Sequence, residues 1–145
     1  MDGKRPGPIL DICAGTLKLA RAVQQELLER EAEERRLIAG DFSLEMLLAA
    51  RDGSGGKGMA GIGIPRCDAL SLPFIDNSLA GVICGFGLRN LADPAAGLRE
   101  LGRVLRPGGA LVVLEFCRPT RIDSRAFHAL YGRLLLPLAG AASPP

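Results

Sequence analysis

Apolar residues occur along this chain in short runs separated by longer amphipathic stretches, an alternation that predicts strands and helices in turn. Ile9 to Cys13 is one such run. It stops at Ala14-Gly15-Thr16, which predicts a buried strand feeding a helix from about Leu17 to Arg35. Ala20, Val23, Leu27 and Leu28 give that helix an apolar face, and its Glu/Arg-rich end is expected in solvent. Leu37 to Asp41 reads as a second strand. Ser43 then suits the N-cap of a short helix carrying Met46, Leu47 and Leu48. Ile64 to Asp68 is a weaker third strand, and Leu79 to Phe86 a fourth. Asp93-Pro94 supplies a cap and a first-turn proline for a helix through Leu105, with Leu98, Leu101 and Leu105 as its expected buried face. Pro107-Gly108-Gly109 turns into Ala110 to Phe116, whose near-continuous apolar character suits a parallel sheet covered on both faces. Ser124 to Leu136 reads as a last helix, and no internal repeat is present.

Strands alternating with helices imply an α/β fold: a Rossmann-like, open, mostly parallel sheet of about five strands with helices on both faces. Such sheets bind ligands beyond the carboxyl ends of their strands, so the residues found there are the candidates. Asp11, Ala14, Gly15 and Thr16 close the first strand. A tight Ala14-Gly15 turn admits a ligand close to the backbone, and the helix behind it offers free N–H groups to an anion. Asp41 ends the second strand, where a carboxylate can accept from two ribose hydroxyls, although helix capping explains a lone aspartate equally well. Asp68 follows the third strand and suits an adenine amino group; a surface loop acid is the plainer alternative.

Composition narrows the function more than the fold. The 145 residues fit one domain, and 48% hydrophobic content is enough for a core. A net charge of +2 gives no electrostatic case for nucleic acid. Cys13, Cys67, Cys84 and Cys117 form no Cys-x-x-Cys pair and read as reduced, buried thiols. His128 is the sole histidine, which argues against a zinc site or a Ser/His/Asp triad, so no metal is expected. The glycine-rich segment Asp52 to Gly63 contains Lys57, but no Ser or Thr follows it and no strand leads in, so it is a loop and not a nucleotide cradle. No targeting segment or membrane span is visible, and a cytoplasmic protein is expected.

The order of motifs is more specific than any one of them. Asp-x-x-x-Gly-Thr from Asp11 is followed by Asp-Phe-Ser-x-x-Met-Leu from Asp41 and Asp-Ala-Leu-x-Leu-Pro-Phe-x-Asp-Asn-Ser from Asp68. Phe86-Gly87-Leu88-Arg89-Asn90 and Arg103-Val-Leu-Arg-Pro-Gly-Gly come next, with Leu114-Glu115-Phe116 downstream. Over residues 8 to 138 this series resembles the ubiquinone/menaquinone C-methyltransferase family, class I enzymes that transfer a methyl group from S-adenosylmethionine to demethylmenaquinol and polyprenyl benzoquinols. The resemblance implies that Thr16 with the Ala14-Gly15 backbone holds the methionine end of the cofactor and Asp41 its ribose. Phe42 and Met46 would flank the adenine, and Asp68 with Ala69 would read its edge. Asp11 and Gly85 belong to the same cofactor set, while Arg89 and Asn90 would face a prenylated quinol substrate. A sulfonium methyl needs alignment and exclusion of water more than acid–base machinery, and no general base is readable. His128, Phe127 and Tyr131 are expected to pack.

Leu17-Lys18 stand where the family commonly has Gly-Asp, and Leu17 is expected to crowd the cofactor while Lys18 offsets this by pairing with its carboxylate. Gly85 stands where a serine is common, and Leu79-Ala80 replaces a frequent Phe-Asp pair. The family's N-terminal helical lid and final antiparallel hairpin have no counterpart, so residues 1–145 read as a single cofactor-binding core domain. A lipid-tailed substrate implies transient, peripheral membrane contact, although core packing is the preferred reading of Leu130, Leu134, Leu135 and Leu136. The alternatives are a methyltransferase for another small molecule and a truncated, non-catalytic module of the same fold.

Overall fold

The computed structural model describes residues 7–30, 35–53 and 61–116. The chain divides into two compact units, Met1–Glu115 and Phe116–Pro145, and every element below belongs to the first. The expected helix from Ser124 to Leu136, with His128, and the loop lysine Lys57 lie outside the described residues, as does Cys117.

Five strands form one parallel sheet: β1 (Ile9–Ile12), β2 (Leu37–Gly40), β3 (Ile62–Gly63), β4 (Leu79–Gly85) and β5 (Leu105–Leu114). Their order is β3-β2-β1-β4-β5, so β1 is central, and the strand order reverses between β1 and β4. Among the described residues, three helices connect them: α1 (Lys18–Glu29), α2 (Leu44–Gly53) and α3 (Pro94–Val104). The fold is therefore the Rossmann-like α/β sheet that the alternation predicts.

Strand alternation sorts the core into two layers. Leu10 and Ile12 of β1 join Val82 and Cys84 of β4 on one face, closed by Leu101 and Val104 of α3 and by Cys67, Ala69 and Leu72. On the other face Leu37 and Ala39 of β2 pack with Leu17 just before α1, Ala20 of α1, Ala50 of α2 and Ile62 of β3. Each leucine so buried contributes about 1.5–3 kcal/mol.

Local chemistry sets the boundaries. Asp93 caps α3, its carboxylate accepting the Ala96 N–H at 2.9 Å, and Pro94 fills the first turn. Ser43 Oγ accepts the Met46 N–H at 3.3 Å, as its N-cap assignment requires. The third strand lies earlier than the sequence suggests, at Ile62–Gly63 and not Ile64 to Asp68, with isolated bridges from Arg66 to Asp41 and from Asp68 to Ser71 beyond it. Pro65 lacks the N–H that a continued ladder requires. On α3 the inward stripe is Gly97, Leu101 and Val104, while Leu98 is exposed. The roll of the helix is set by Gly97, where an added Cβ would sit 2.4 Å from Leu91 Cδ1. Leu105 leaves the helix in extended conformation and pairs with Leu79, and the ladder resumes only at Gly81 and Ala110, so Arg106 to Gly109 bulge from β5.

Arg103 fastens the segment after Asp68 to α3. Its guanidinium donates to the Leu72 carbonyl at 3.1 Å, the Phe74 carbonyl at 2.9 Å and Asp76 at 2.6 Å. Glu100 accepts from Arg103 at 2.7 Å and from the Leu72 N–H at 2.7 Å, and this pairing holds the Glu100 carboxyl below its ordinary range.

Candidate functional site

The carboxyl ends of β1, β2 and β4 open into a cleft of about 520 Å³. The backbone leaves β1 sharply: Cys13 adopts φ 58° and Gly15 φ 52°, both left-handed. Only a residue without Cβ takes this conformation freely, and at Gly15 nothing lies within 4 Å of where a Cβ would be, so the turn faces open space. Leu17 follows at φ 62° without a side-chain cap for α1. Its side chain is fully buried with Ala20, Leu37 and Ala50. The expected crowding of the cleft by Leu17 is thus not found, because the left-handed backbone turns the residue into the core.

Asp41 ties two of the strand ends together. Its Oδ2 accepts the Gly15 N–H at 2.8 Å and its Oδ1 accepts the Ser43 N–H at 2.8 Å. A carboxylate has about four acceptor positions, so roughly two stay available for ligand hydroxyls. Phe42 and Met46 lie beside it, 64% and 49% exposed, and offer apolar surface to a flat ring. Arg66 stacks 5.5 Å above the Phe42 ring and donates to the Phe42 carbonyl at 2.9 Å, which fixes that wall. Asp68 Oδ1 accepts the Leu70 N–H at 2.9 Å.

At the end of β4, Phe86 is also left-handed, at φ 57°, and leads through Gly87 into a short 3-10 turn, Leu88–Asn90. Asn90 Nδ2 donates to the Phe86 carbonyl at 3.4 Å. Arg89 points elsewhere: its Nη1 donates to Glu115 Oε1 at 3.0 Å, and its guanidinium lies 5.5 Å from the Phe86 ring centroid. Strained residues at strand ends are a recurrent mark of ligand sites.

Of the residues singled out in the sequence, Gly15, Asp41, Phe42, Met46, Asp68, Ala69 and Asn90 line the cleft. Ala14 sits behind the turn and donates its N–H to the Gly40 carbonyl at 3.1 Å, while Thr16 is exposed outside the lining. Gly85 faces α1, where an added Cβ would meet Leu19 Cδ2 at 3.0 Å. Asp11 is 1% exposed beneath the cleft. The lining also includes Cys13, Ser43, Cys67, Phe86, Gly87 and Leu91, of which Cys13 and Phe86 stand one residue past β1 and β4, where the strand-end rule carried one step further would have reached them.

Asp11 has a titration consequence. Burial, and to a lesser degree the charge of Asp41, push its carboxyl from an ordinary 3.8 up to about 7, although the Ala20 N–H opposes the shift. The folded chain prefers the neutral acid, so unfolding releases a proton between those two values. Stability should therefore fall as pH rises from about 4 to 7, by roughly 3–4 kcal/mol if the whole shift is expressed. Urea denaturation of the parent chain at pH 5 and pH 8 should show this fall, and Asp11→Asn should flatten it. Parallel pH dependence in the two chains would remove Asp11 as the cause.

The sequence matches the model of the ubiE/COQ5 methyltransferase family over residues 1–143. It is 38% identical over 138 residues to a demethylmenaquinone methyltransferase of Desulfitobacterium hafniense, covering 94% of this chain and 53% of that protein. A demethylmenaquinone methyltransferase of a Mycobacterium species (strain KMS) is 44% identical over 135 residues, covering 92% and 51% respectively. Among solved structures, the YcgJ protein of Bacillus subtilis superposes with a TM-score of 0.68 at 25% identity, covering 92% of this chain and 54% of that one. A SAM-dependent methyltransferase of Aquifex aeolicus shares the fold with a TM-score of 0.67 at 21% identity, covering 82% and 61%. The chain spans about half the length of the curated relatives it matches.

Proposed function

Because the chain belongs to the ubiE/COQ5 methyltransferase family, we propose that it carries the S-adenosylmethionine site of an enzyme that methylates a ring carbon of a prenylated quinol. The observation that carries this reading is the joining of the β1 and β2 ends by one carboxylate, Asp41, beside an open glycine turn and an exposed aromatic ring. These residues fit a nucleoside. Asp41 retains acceptor capacity for ribose hydroxyls, Phe42 and Met46 supply the walls for a purine, and Asp68 Oδ2 would accept from its amino group. The Gly15 turn, with Thr16 beside it, would take the amino-acid end.

When bound, the cofactor supplies an electrophilic methyl carbon on a sulfonium. The chain's own residues then hold the acceptor ring in line and keep water out. Asn90 uses its amide nitrogen on the Phe86 carbonyl, which leaves its carbonyl oxygen to accept from a ring hydroxyl. Arg89, held by Glu115, would position the Phe86 side of the substrate site. Leu91 and Phe86 give that side an apolar surface. A lipid-tailed substrate would bring the chain to a membrane surface; among the described residues, no helix is long and apolar enough to cross a membrane.

The test is a calorimetric titration with S-adenosylmethionine, followed by transfer of a labelled methyl group to reduced demethylmenaquinone and to unrelated small-molecule acceptors. Saturable binding with label on the quinol ring is the expected result. Label only on other acceptors would overturn the substrate and keep the cofactor. A folded chain that does not bind would sink both.

A further inference from the structure

We propose that Cys13 and Cys84 form an oxidisable thiol pair, a site at which a hydroperoxide closes a reversible disulfide on the wall of the cleft.

The two residues stand on adjacent strand ends, since Ile12, next to Cys13, pairs with Cys84. In regular alternation Cys13 would point to the α1 face of the sheet, away from Cys84. Its left-handed φ of 58° instead carries it to the α3 face, where it packs against the cluster that contains Cys84. Gly87 then leaves room for both sulfurs: an added Cβ there would lie 2.7 Å from Cys13 Sγ and 3.0 Å from Cys84 Sγ. The sulfurs lie close enough to shift one another: Cys84, and then burial, hold the Cys13 thiol above its ordinary range, while Cys13 holds that of Cys84 below it. Strands ~4.8 Å apart with a rise of ~3.3 Å per residue put a one-residue diagonal inside the ~4.4–6.8 Å Cα separation of disulfides.

Access separates the roles. Cys13 lines the cleft, whereas Cys84 is 1% exposed. Cys13 is thus the thiol that a peroxide reaches, and the proton it sheds is the one that the leaving hydroxide takes up. That sulfur attacks one oxygen of hydrogen peroxide, the O–O bond breaks, and hydroxide leaves to take up a proton as water. Cys84 Sγ then attacks the sulfenic sulfur, the S–S bond forms, and a second water departs. Two thiols and one peroxide thus give one disulfide and two waters. Cys67, also on the cleft wall, is a built-in comparison, because its sulfur lies against Gly40 at the end of β2, away from β4.

The test is to treat the folded chain with hydrogen peroxide, titrate its thiols, and map it after digestion with trypsin and an Asp-specific protease that separates Cys67 from Cys84. Loss of two of the four thiols, a peptide linking Cys13 to Cys84, and recovery of both thiols with dithiothreitol are expected. Cys84→Ser should give no link while circular dichroism shows a folded chain. Over-oxidised Cys13 without a link, or links scattered over Cys67 and Cys117, would overturn the assignment. The effect on ligand binding rests on the cofactor reading above. If the reduced chain binds S-adenosylmethionine, the linked chain should bind it more weakly until reduced, and unchanged binding would overturn only that effect. A reduced chain that never binds would count against the cofactor reading and leave the thiol pair standing on its linked peptide.

Discussion

Replacing Asp41 by alanine is expected to weaken S-adenosylmethionine binding by about a hundredfold or more, or roughly 3 kcal/mol. The loss has two parts. The ribose would lose its acceptor, and the Gly15 and Ser43 N–H groups would lose theirs. Hydrogen bonds to a charged acceptor contribute about 1.5–3 kcal/mol each when well placed, although partial exposure reduces what these two give. Without them the turn after β1 keeps the Ala14 N–H on the Gly40 carbonyl but loses the tie from Gly15 to Asp41. Asp41→Asn keeps one acceptor oxygen and should fall between the parent and Asp41→Ala. Calorimetry gives the affinities, and urea denaturation separates the folding contribution. If Asp41→Ala binds as tightly as the parent, the cofactor does not sit at the β1–β2 ends.

Gly87→Ala should be the most damaging single methyl in the described residues of the cleft. The new Cβ would lie 2.4 Å from Cys13 Cβ as well as against both sulfurs. None of these atoms is the free end of a long side chain, so the strand ends themselves must part. Overpacking of this kind costs about 1–3 kcal/mol and more where backbone must move, and the cleft wall would be displaced with it. Gly102→Ala is the matched control: it lies on the exposed side of α3 with nothing within 4 Å. There the methyl should stabilise by about 0.5–1 kcal/mol. Cys13→Gly should rescue part of the Gly87→Ala defect, because it removes the clashing Cβ and suits a left-handed backbone. Thermal melts of the four chains check the set, and equal melting of Gly87→Ala and Gly102→Ala would show that the strand ends yield easily.

The legible parts of this molecule were those written in composition at strand ends. Asp41, Asp68 and Gly15 could be placed because each follows an apolar run, and a parallel sheet opens its cleft where such runs end. Asp93-Pro94 and Ser43 marked their helices for equally local reasons. What escaped was conformation without a compositional sign. Leu17, Cys13 and Phe86 are left-handed, and nothing in a leucine, a cysteine or a phenylalanine announces that. Leu17 therefore looked like an obstacle to the ligand when it is part of the core. Leu98 misled for a different reason: spacing gives the period of a helix, but the roll of α3 is chosen by Gly97 against Leu91. The position of β3 was lost to the apolar look of Ile64, which ignores the missing donor of Pro65. Arg89 was legible as a cation near the site, but its partnership with Glu115 is a long-range contact between two strand ends.

The central place of β1 has a kinetic consequence. Ile9 pairs with Leu37 on one side and with Gly81 on the other, so this strand keeps one edge open until β4 has formed. Closing so long a loop between parallel partners is slow compared with local helix formation. On a ribosome adding about 5–20 residues per second, β1 and β2 would wait several seconds for β4. For that interval the hydrophobic centre of the sheet is a bare edge, and the nascent chain should depend on chaperones most while the segment between β2 and β4 is being made.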